Sequence, residues 1–269
     1  MAGAEPAPEL GLGLISIGRA WGFRPAPPPS EGEVRALLDA ALAAGIRFFD
    51  TAPSYGSSER RAGTFLRGLD KARLTGLTIA TKCGEHWDEA AGAPYVDHSY
   101  DALCRSIDRS LERLPVIDLL QVHKSTPAVI ADAGVRRALE YARARGVREL
   151  GVSAADPETA ALAAADPLYA AIQVPFNSRN TRMADAIGLA ARAGKRVLVN
   201  RPFGMGELLY GEDGRHLGVP AMVEAFRFVL ARSFGGVVLT GTRSAEHLRA
   251  NASAFQAALR TAGPNPAGR

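Results

Sequence analysis

The sequence predicts a single α/β domain, a (β/α)8 barrel of the TIM type spanning residues 1–269. Short β-rich runs alternate with longer helix-periodic ones along the whole chain, and the count closes at eight of each. No Pro/Gly/Ser-rich linker or low-complexity tract divides the alternation. Parallel strands with right-handed crossovers follow from that order. A chain of 269 residues is long enough to bury one large core, and single barrels commonly reach this size.

Each element has its local reason. The first apolar run covers 10–17, and the Pro-rich stretch 25–30 reads as a stiff loop. Ser30 with Glu33 three residues on is a capping box, and apolar positions Val34, Leu37, Leu38, Ala41 and Leu42 carry the first helix to a stop near Gly45. Strand two is 46–50, with a helix from near Ser57 towards Leu69. Strand three is 77–82, and a loop of about fifteen residues, long for such a connection, leads to a helix over 99–114. Strand four is 117–123, with a helix over 131–145. Strand five is 149–153, and Asp156-Pro157 opens the next helix as N-cap and first-turn proline. The remaining pairs are strand 171–174 with helix 182–193, strand 196–200 with helix 220–232, and strand 236–240 with helix 244–259. The connections are short and the tail after Leu259 is brief, which predicts a reduced C-terminal loop and an open pocket.

Composition limits the function classes. The hydrophobic share of 47% beside 22% charged is ordinary for a soluble globular protein. The net charge of +4 comes from scattered arginines rather than a basic block, so nothing points to nucleic acid. The opening residues lack a basic start followed by an apolar stretch, and no run reaches membrane-span length. Cys83 and Cys104 are the two cysteines and make no disulfide framework, which fits a reducing, cytoplasmic compartment. The Ala, Arg and Gly bias suggests a bacterial source. Cys83, Glu85, His86 and His98 do not have the spacing of a paired zinc motif, and no metal is expected.

Chemistry is concentrated at strand ends. Strand two ends on Asp50, strand three on Lys82 and strand four on His123, and Tyr55 follows in Asp50-Thr51-Ala52-Pro53-Ser54-Tyr55-Gly56. In a parallel barrel these ends open onto one mouth, so the four side chains would meet there. Singly, each has a plain structural reading as cap, packed ring, snorkelling lysine or core histidine. Together they form a proton-delivery set for a carbonyl. Tyr55 would donate the proton, with Lys82 lowering its pKa from about 10, Asp50 pairing with Lys82, and His123 orienting the carbonyl oxygen.

Those segments, with Ser58-Glu59, Thr81-Lys82, Ser110 to Leu114, Ile117 to His123 and Gly151-Val152-Ser153, resemble the aldo-keto reductase superfamily in order and over essentially the whole chain. The resemblance implies a tetrad of Asp50, Tyr55, Lys82 and His123. It also implies nicotinamide-dependent reduction of an aldehyde or ketone, reversible as oxidation of an alcohol or sugar hydroxyl. NADP is the implied cofactor, NADPH preferred over NADH, lying across the mouth without a Rossmann domain. Ser153 and Gln173 match positions that hold the nicotinamide amide; the Asn that usually follows the serine is Ala154 here. Asn200 stands where a stacking Tyr is common, with Arg201 and Phe203 next to it and Arg201 suited to a pyrophosphate. Gly241, Thr242, Arg243, His247 and Asn251 match the adenosine-phosphate segment at a helix N-terminus, with Gly241 in place of a common Lys and His247 of a common Arg. Trp21, Phe23, Trp87, Lys124 and Phe176 fall on loops expected at the mouth and would wall the substrate pocket. The departures leave two alternatives open: a lyase, isomerase or epimerase using the tetrad for proton transfer alone, or a low-turnover nucleotide-sensing regulatory subunit. The partner is a small molecule; substrate, direction and oligomeric state are not specified by the sequence.

Overall fold

The computed structural model describes residues 7–261. Eight parallel strands close into a barrel in the order β1 (Glu9–Gly13), β2 (Phe48–Asp50), β3 (Thr78–Cys83), β6 (Leu119–Ser125), β7 (Glu149–Ala154), β8 (Ala171–Pro175), β9 (Arg196–Asn200) and β10 (Gly236–Gly241), which returns to β1. Parallel registers such as Lys82↔Gln121 and Ser153↔Gln173 fix which side chains share a level. A small inner core of Phe48, Ala80, Leu119, Ala171, Leu198, Val237 and Leu239 fills the barrel. A larger shell packs the strands' outer faces against the helices. The expected parallel barrel is therefore the fold.

The main helices are α2 (Glu31–Ala43), α3 (Ser58–Arg67), α5 (Tyr100–Arg113), α7 (Ala133–Ala144), α8 (Pro157–Ala165), α9 (Ala184–Arg192), α10 (Gly218–Leu230) and α11 (Ala245–Thr261). The capping box at Ser30 is formed in both directions, and the Asp156 side chain accepts from Thr159 N over Pro157. Short turns α4 (Lys71–Thr75) and α6 (Pro127–Ala131) fill connections that the periodicity left blank, and a third, α1 (Ile15–Gly18), follows β1.

Two readings are corrected. The apolar run 10–17 is a strand only to Gly13 and then turns as α1. The stretch read as a long loop after strand three is an antiparallel hairpin, β4 (Glu85–Asp88) with β5 (Ala93–Val96), standing at the carboxyl end of β3. Its turn is closed by Asp88 Oδ1 accepting from Ala90 N and Ala91 N at 2.8 and 3.0 Å, with Gly92 at φ 61°. The hairpin carries no alternating apolar face and no Asn-Gly or Asp-Gly pair, which is why sequence did not reveal it. The expected reduction of the C-terminal loop concerns residues beyond Thr261, and the expected lack of a leader concerns the first six; both lie outside the described residues.

Candidate active site

Asp50 ends β2 and Lys82 is the penultimate residue of the adjacent β3, so both side chains meet near the barrel mouth. Lys82 Nζ donates to Asp50 Oδ2 at 2.6 Å and to Thr51 O at 2.9 Å, and the pair is almost wholly buried. An ammonium has three protons, so one is left for the Tyr55 side. Nζ is 4.9 Å from the Tyr55 ring centroid. The other Asp50 oxygen accepts from Gln121 Nε2 at 3.0 Å. Gln121 shares a register level with Lys82 and lies two residues before His123, hence on the same strand face. That period of two was visible in the sequence, yet Gln121 was not singled out.

Tyr55 sits on the turn between β2 and α3, closed by Tyr55 N donating to Ala52 O at 3.1 Å. Gly18 of α1 presses on this turn: a Cβ there would lie 1.9 Å from Tyr55 O and 2.5 Å from Ser58 N, so only glycine allows the approach. His123 stands edge-on to Tyr55, with ring centroids 6.1 Å apart. The β6–β7 register shifts between Val122 and Ser125, and Lys124 has φ 52°, an irregularity of the kind that re-aims side chains at a barrel rim. Glu85 of the hairpin is the second residue that sequence reasoning did not place here. Its Oε2 lies 3.1 Å from His123 Nδ1, off the line of a hydrogen bond, and its Oε1 is 3.3 Å from Lys124 Nζ.

The electrostatics correct one expectation. Burial pushes the Tyr55 pKa up; the Lys82 ammonium pulls it down, but Asp50 offsets that charge, and the net value lies above the ordinary 10. Tyr55 thus keeps its hydroxyl proton at neutral pH rather than standing on the verge of ionising. Burial pulls the Lys82 pKa down, but Asp50 and Tyr55 outweigh it, so the ammonium is retained. Burial, then Lys82, Lys124, Arg19 and Arg201, hold His123 well below its ordinary 6.5. It is neutral at pH 7 and can hydrogen-bond through its ring without carrying charge. Cys83, next to Lys82, is pushed up to about 12 by burial and is an inert packed thiol.

A cleft of about 740 Å³ runs across the mouth from Tyr55 and His123 to the start of α11. Trp21, Phe23, Lys124, Ser153, Asn200, Arg201, Phe203, Gly241, Thr242, Arg243, His247 and Asn251 line it, as the sequence led us to expect. A hollow of about 610 Å³ on another flank, lined by Asp185, Arg192 and Arg232 among others, contains none of the proton-handling groups. Phe176 is a correction: it is fully buried, stacks on Phe228 at 5.4 Å and belongs to the shell between barrel and helices. Trp87 is set back from the cleft, with Arg19 Cζ 5.5 Å from its ring. Gln173 is buried at the β7–β8 level of Ser153 rather than on the cleft wall.

The cleft fits a nicotinamide dinucleotide. Asn200 Oδ1 and Thr240 Oγ1 at its wall, and Gln173 Oε1 behind it, are buried polar atoms without a protein partner. Such atoms call for a ligand donor. At the far end Ser244 Oγ accepts from His247 N at 3.4 Å, and Thr242 Oγ1 accepts from Ser244 N at 3.2 Å. The first turn of the 17-residue α11 and Arg243 then face the same end of the cleft, an arrangement suited to an anion.

The comparisons agree with this architecture. The family model described as "Aldo/keto reductase family" matches residues 9–216. A 6-dehydroglucose reductase from Novosphingobium aromaticivorans is 30% identical over 255 residues, covering 82% of this chain and 79% of that protein. L-galactose dehydrogenase from Arabidopsis thaliana is 35% identical over 118 residues, 42% of this chain and 33% of the plant protein. The matches to several curated relatives take in only 33% to 45% of the relatives' length. A crystal structure from Pseudomonas aeruginosa assigned to the aldo-keto reductases superposes with a TM-score of 0.78 at 27% identity, over 94% of this chain and 91% of the other. With the motif order, the barrel and the family model in agreement, the chain belongs to the aldo/keto reductase family.

Proposed function

We propose that the protein is a nicotinamide-dependent oxidoreductase that reduces an aldehyde or ketone, and in reverse oxidises an alcohol or sugar hydroxyl. The observation that carries this reading is the buried Lys82–Asp50 pair set beside Tyr55, with His123 at the edge of the same cleft. Ser153, Gln173 and Asn200 would hold the nicotinamide amide, Arg201 and Phe203 would flank the middle of the cofactor, and Thr242, Arg243, His247 and Asn251 would take its phosphate end, NADPH in preference to NADH. When bound, this cofactor supplies the hydride. Tyr55 donates its hydroxyl proton to the carbonyl oxygen as charge develops there. Lys82, kept cationic by Asp50, stabilises the phenolate left behind, and Gln121 holds the carboxylate in place. Neutral His123 orients the carbonyl oxygen by a ring hydrogen bond.

The low cysteine count and the composition support a bacterial cytoplasmic setting; among the described residues no helix is long and apolar enough to cross a membrane. The names of the relatives make aldoses and their oxidised forms sensible members of a carbonyl panel. The test is consumption of NADPH and of NADH over such a panel, with Tyr55→Phe alongside. The variant should lose about 10²–10⁴-fold in kcat while binding NADPH as tightly as wild type. Full activity in Tyr55→Phe, or no reduced cofactor consumed with any carbonyl, overturns the reading.

A further inference from the structure

Beside the cleft stands a cation that the fold itself does not neutralise. Arg19 follows α1 and leaves the backbone beside the Tyr55 turn: a Cβ on Gly56 would lie 3.6 Å from Arg19 Cβ. Its guanidinium is held between two indoles, 5.2 Å from the Trp21 ring and 5.5 Å from the Trp87 ring. Trp21 lines the cleft together with Tyr55 and His123. Trp87 belongs to the hairpin that also places Glu85 at 3.1 Å from His123 Nδ1. Arg19 is therefore clamped beside Trp21, next to the end of the cleft where the carbonyl would sit. Nε of Arg19 is buried without a hydrogen-bond partner, and the residue joins none of the ion pairs among the described residues. Of the arginines that line the cleft, Arg24 donates to Gly214 O and Arg243 to Pro27 O, while Arg201 lies 6.0 Å from the Trp21 ring and against no second ring. A guanidinium lying against aromatic faces keeps its donors in a fixed fork, weakly hydrated, which suits a planar carboxylate or a phosphate. Lys124 and Arg201 add positive charge around the same point, and with Arg19 they help keep His123 unprotonated.

We propose that Arg19, gripped by Trp21 and Trp87, receives an anionic group of the carbonyl substrate, a carboxylate or a phosphate, so that the enzyme selects acidic over neutral aldehydes and ketones. This rests on the carbonyl-reducing reading of the site. Glu85 pairs with Lys124, which leaves Arg19 and Arg201 as cations without a protein acceptor, and of the two Arg19 is the one held between two aromatic rings.

The test uses matched pairs that differ in charge. Succinic semialdehyde against butanal probes the carboxylate, and glyceraldehyde 3-phosphate against glyceraldehyde probes the phosphate. Wild type should favour the charged member of one pair by about ten-fold or more in kcat/KM, mainly through KM, because a hydrogen-bonded charge contact is being gained. In Arg19→Gln that ratio should fall to about one, whereas Arg35→Gln on the exposed face of α2 should keep it. A ratio near one in wild type, or a preference that survives Arg19→Gln, overturns the proposal. A loss of NADPH affinity in Arg19→Gln equal to the loss in kcat/KM also overturns it, by assigning the arginine to the cofactor. A second readout needs no turnover. Trp21 and Trp87 are the two tryptophans of the chain, so tryptophan emission reports on this clamp alone. Titration with succinate or inorganic phosphate should give a saturable emission change in wild type and none in Arg19→Gln. If these four and the whole carbonyl panel are inert yet this change is seen, the reductase reading fails and the anion site stands; if no change is seen with either anion, the site fails.

Discussion

Replacing Lys82 by Met removes the ammonium while keeping most of the side-chain volume, so the effect reports on charge rather than on a cavity. The Lys82 and Asp50 side chains are 0% and 3% exposed and meet at 2.6 Å. At an effective dielectric of about 20, that separation corresponds to roughly 6 kcal/mol of attraction, part of which is offset by the cost of taking both charges out of water. Stranding one member of a buried pair costs about 3–5 kcal/mol. For a domain of this size that is a drop in Tm of about 6–10 °C. In Lys82→Met the Asp50 carboxylate keeps one side-chain donor, Gln121 Nε2, and no cation. Adding Asp50→Asn removes the stranded charge, so the double variant should recover most of the loss. Urea unfolding followed by circular dichroism on wild type, both single variants and the double variant measures the coupling. A loss below about 1 kcal/mol in Lys82→Met, or no recovery in the double variant, would show that Asp50 does not depend on Lys82 and would undo the account of a retained ammonium.

Three further outcomes follow from the same geometry. His123 is held below its ordinary pKa, so below about 6.5 the unfolded chain takes up a proton that the folded chain refuses; stability should fall as pH drops through that value, and His123→Gln should flatten that part of a Tm-versus-pH curve. The absence of any difference between the two curves would contradict a neutral buried imidazole. Tyr55 is raised above 10, so the alkaline limb of kcat/KM for carbonyl reduction should lie above pH 10, and a Tyr55-dependent midpoint near 8 would instead show that Lys82 dominates. Phe176→Ala should cost about 3–5 kcal/mol in urea unfolding with little change in kcat/KM, because the ring packs on Phe228 and not on the cleft; a KM effect without a stability effect would return it to the pocket.

Much of the barrel was legible because several of its elements begin or end on a residue whose chemistry or capping propensity marks the boundary. Asp50 closes a run of apolar residues, Asp156-Pro157 opens a helix, and Ser30 with Glu33 starts another. Direction after a strand is harder to read. Phe176 follows β8 directly, yet the chain turns so that its ring points to α10 rather than to the mouth. Contacts that exist only through tertiary approach left no local mark. Glu85 reaches His123 because Gly84, at φ 101°, swings the hairpin over, in a spot where a Cβ would strike the His98 ring at 2.4 Å. Arg19 is one arginine among many until the nearby Trp21 and the distant Trp87 are seen to enclose it.

The order of strands around the barrel separates two tasks. Asp50, Tyr55, Lys82, Gln121 and His123 come from three neighbouring strands, β2, β3 and β6, and their turns, all within the first half of the chain. The groups suited to gripping a dinucleotide, from Ser153 to Asn251, come from β7 onward. Under the function proposed above, reengineering the choice between the phosphorylated and unphosphorylated coenzyme is therefore a problem that centres on the second half. It can be pursued there by combinatorial substitution while the acid–base apparatus on the opposite wall is left as found.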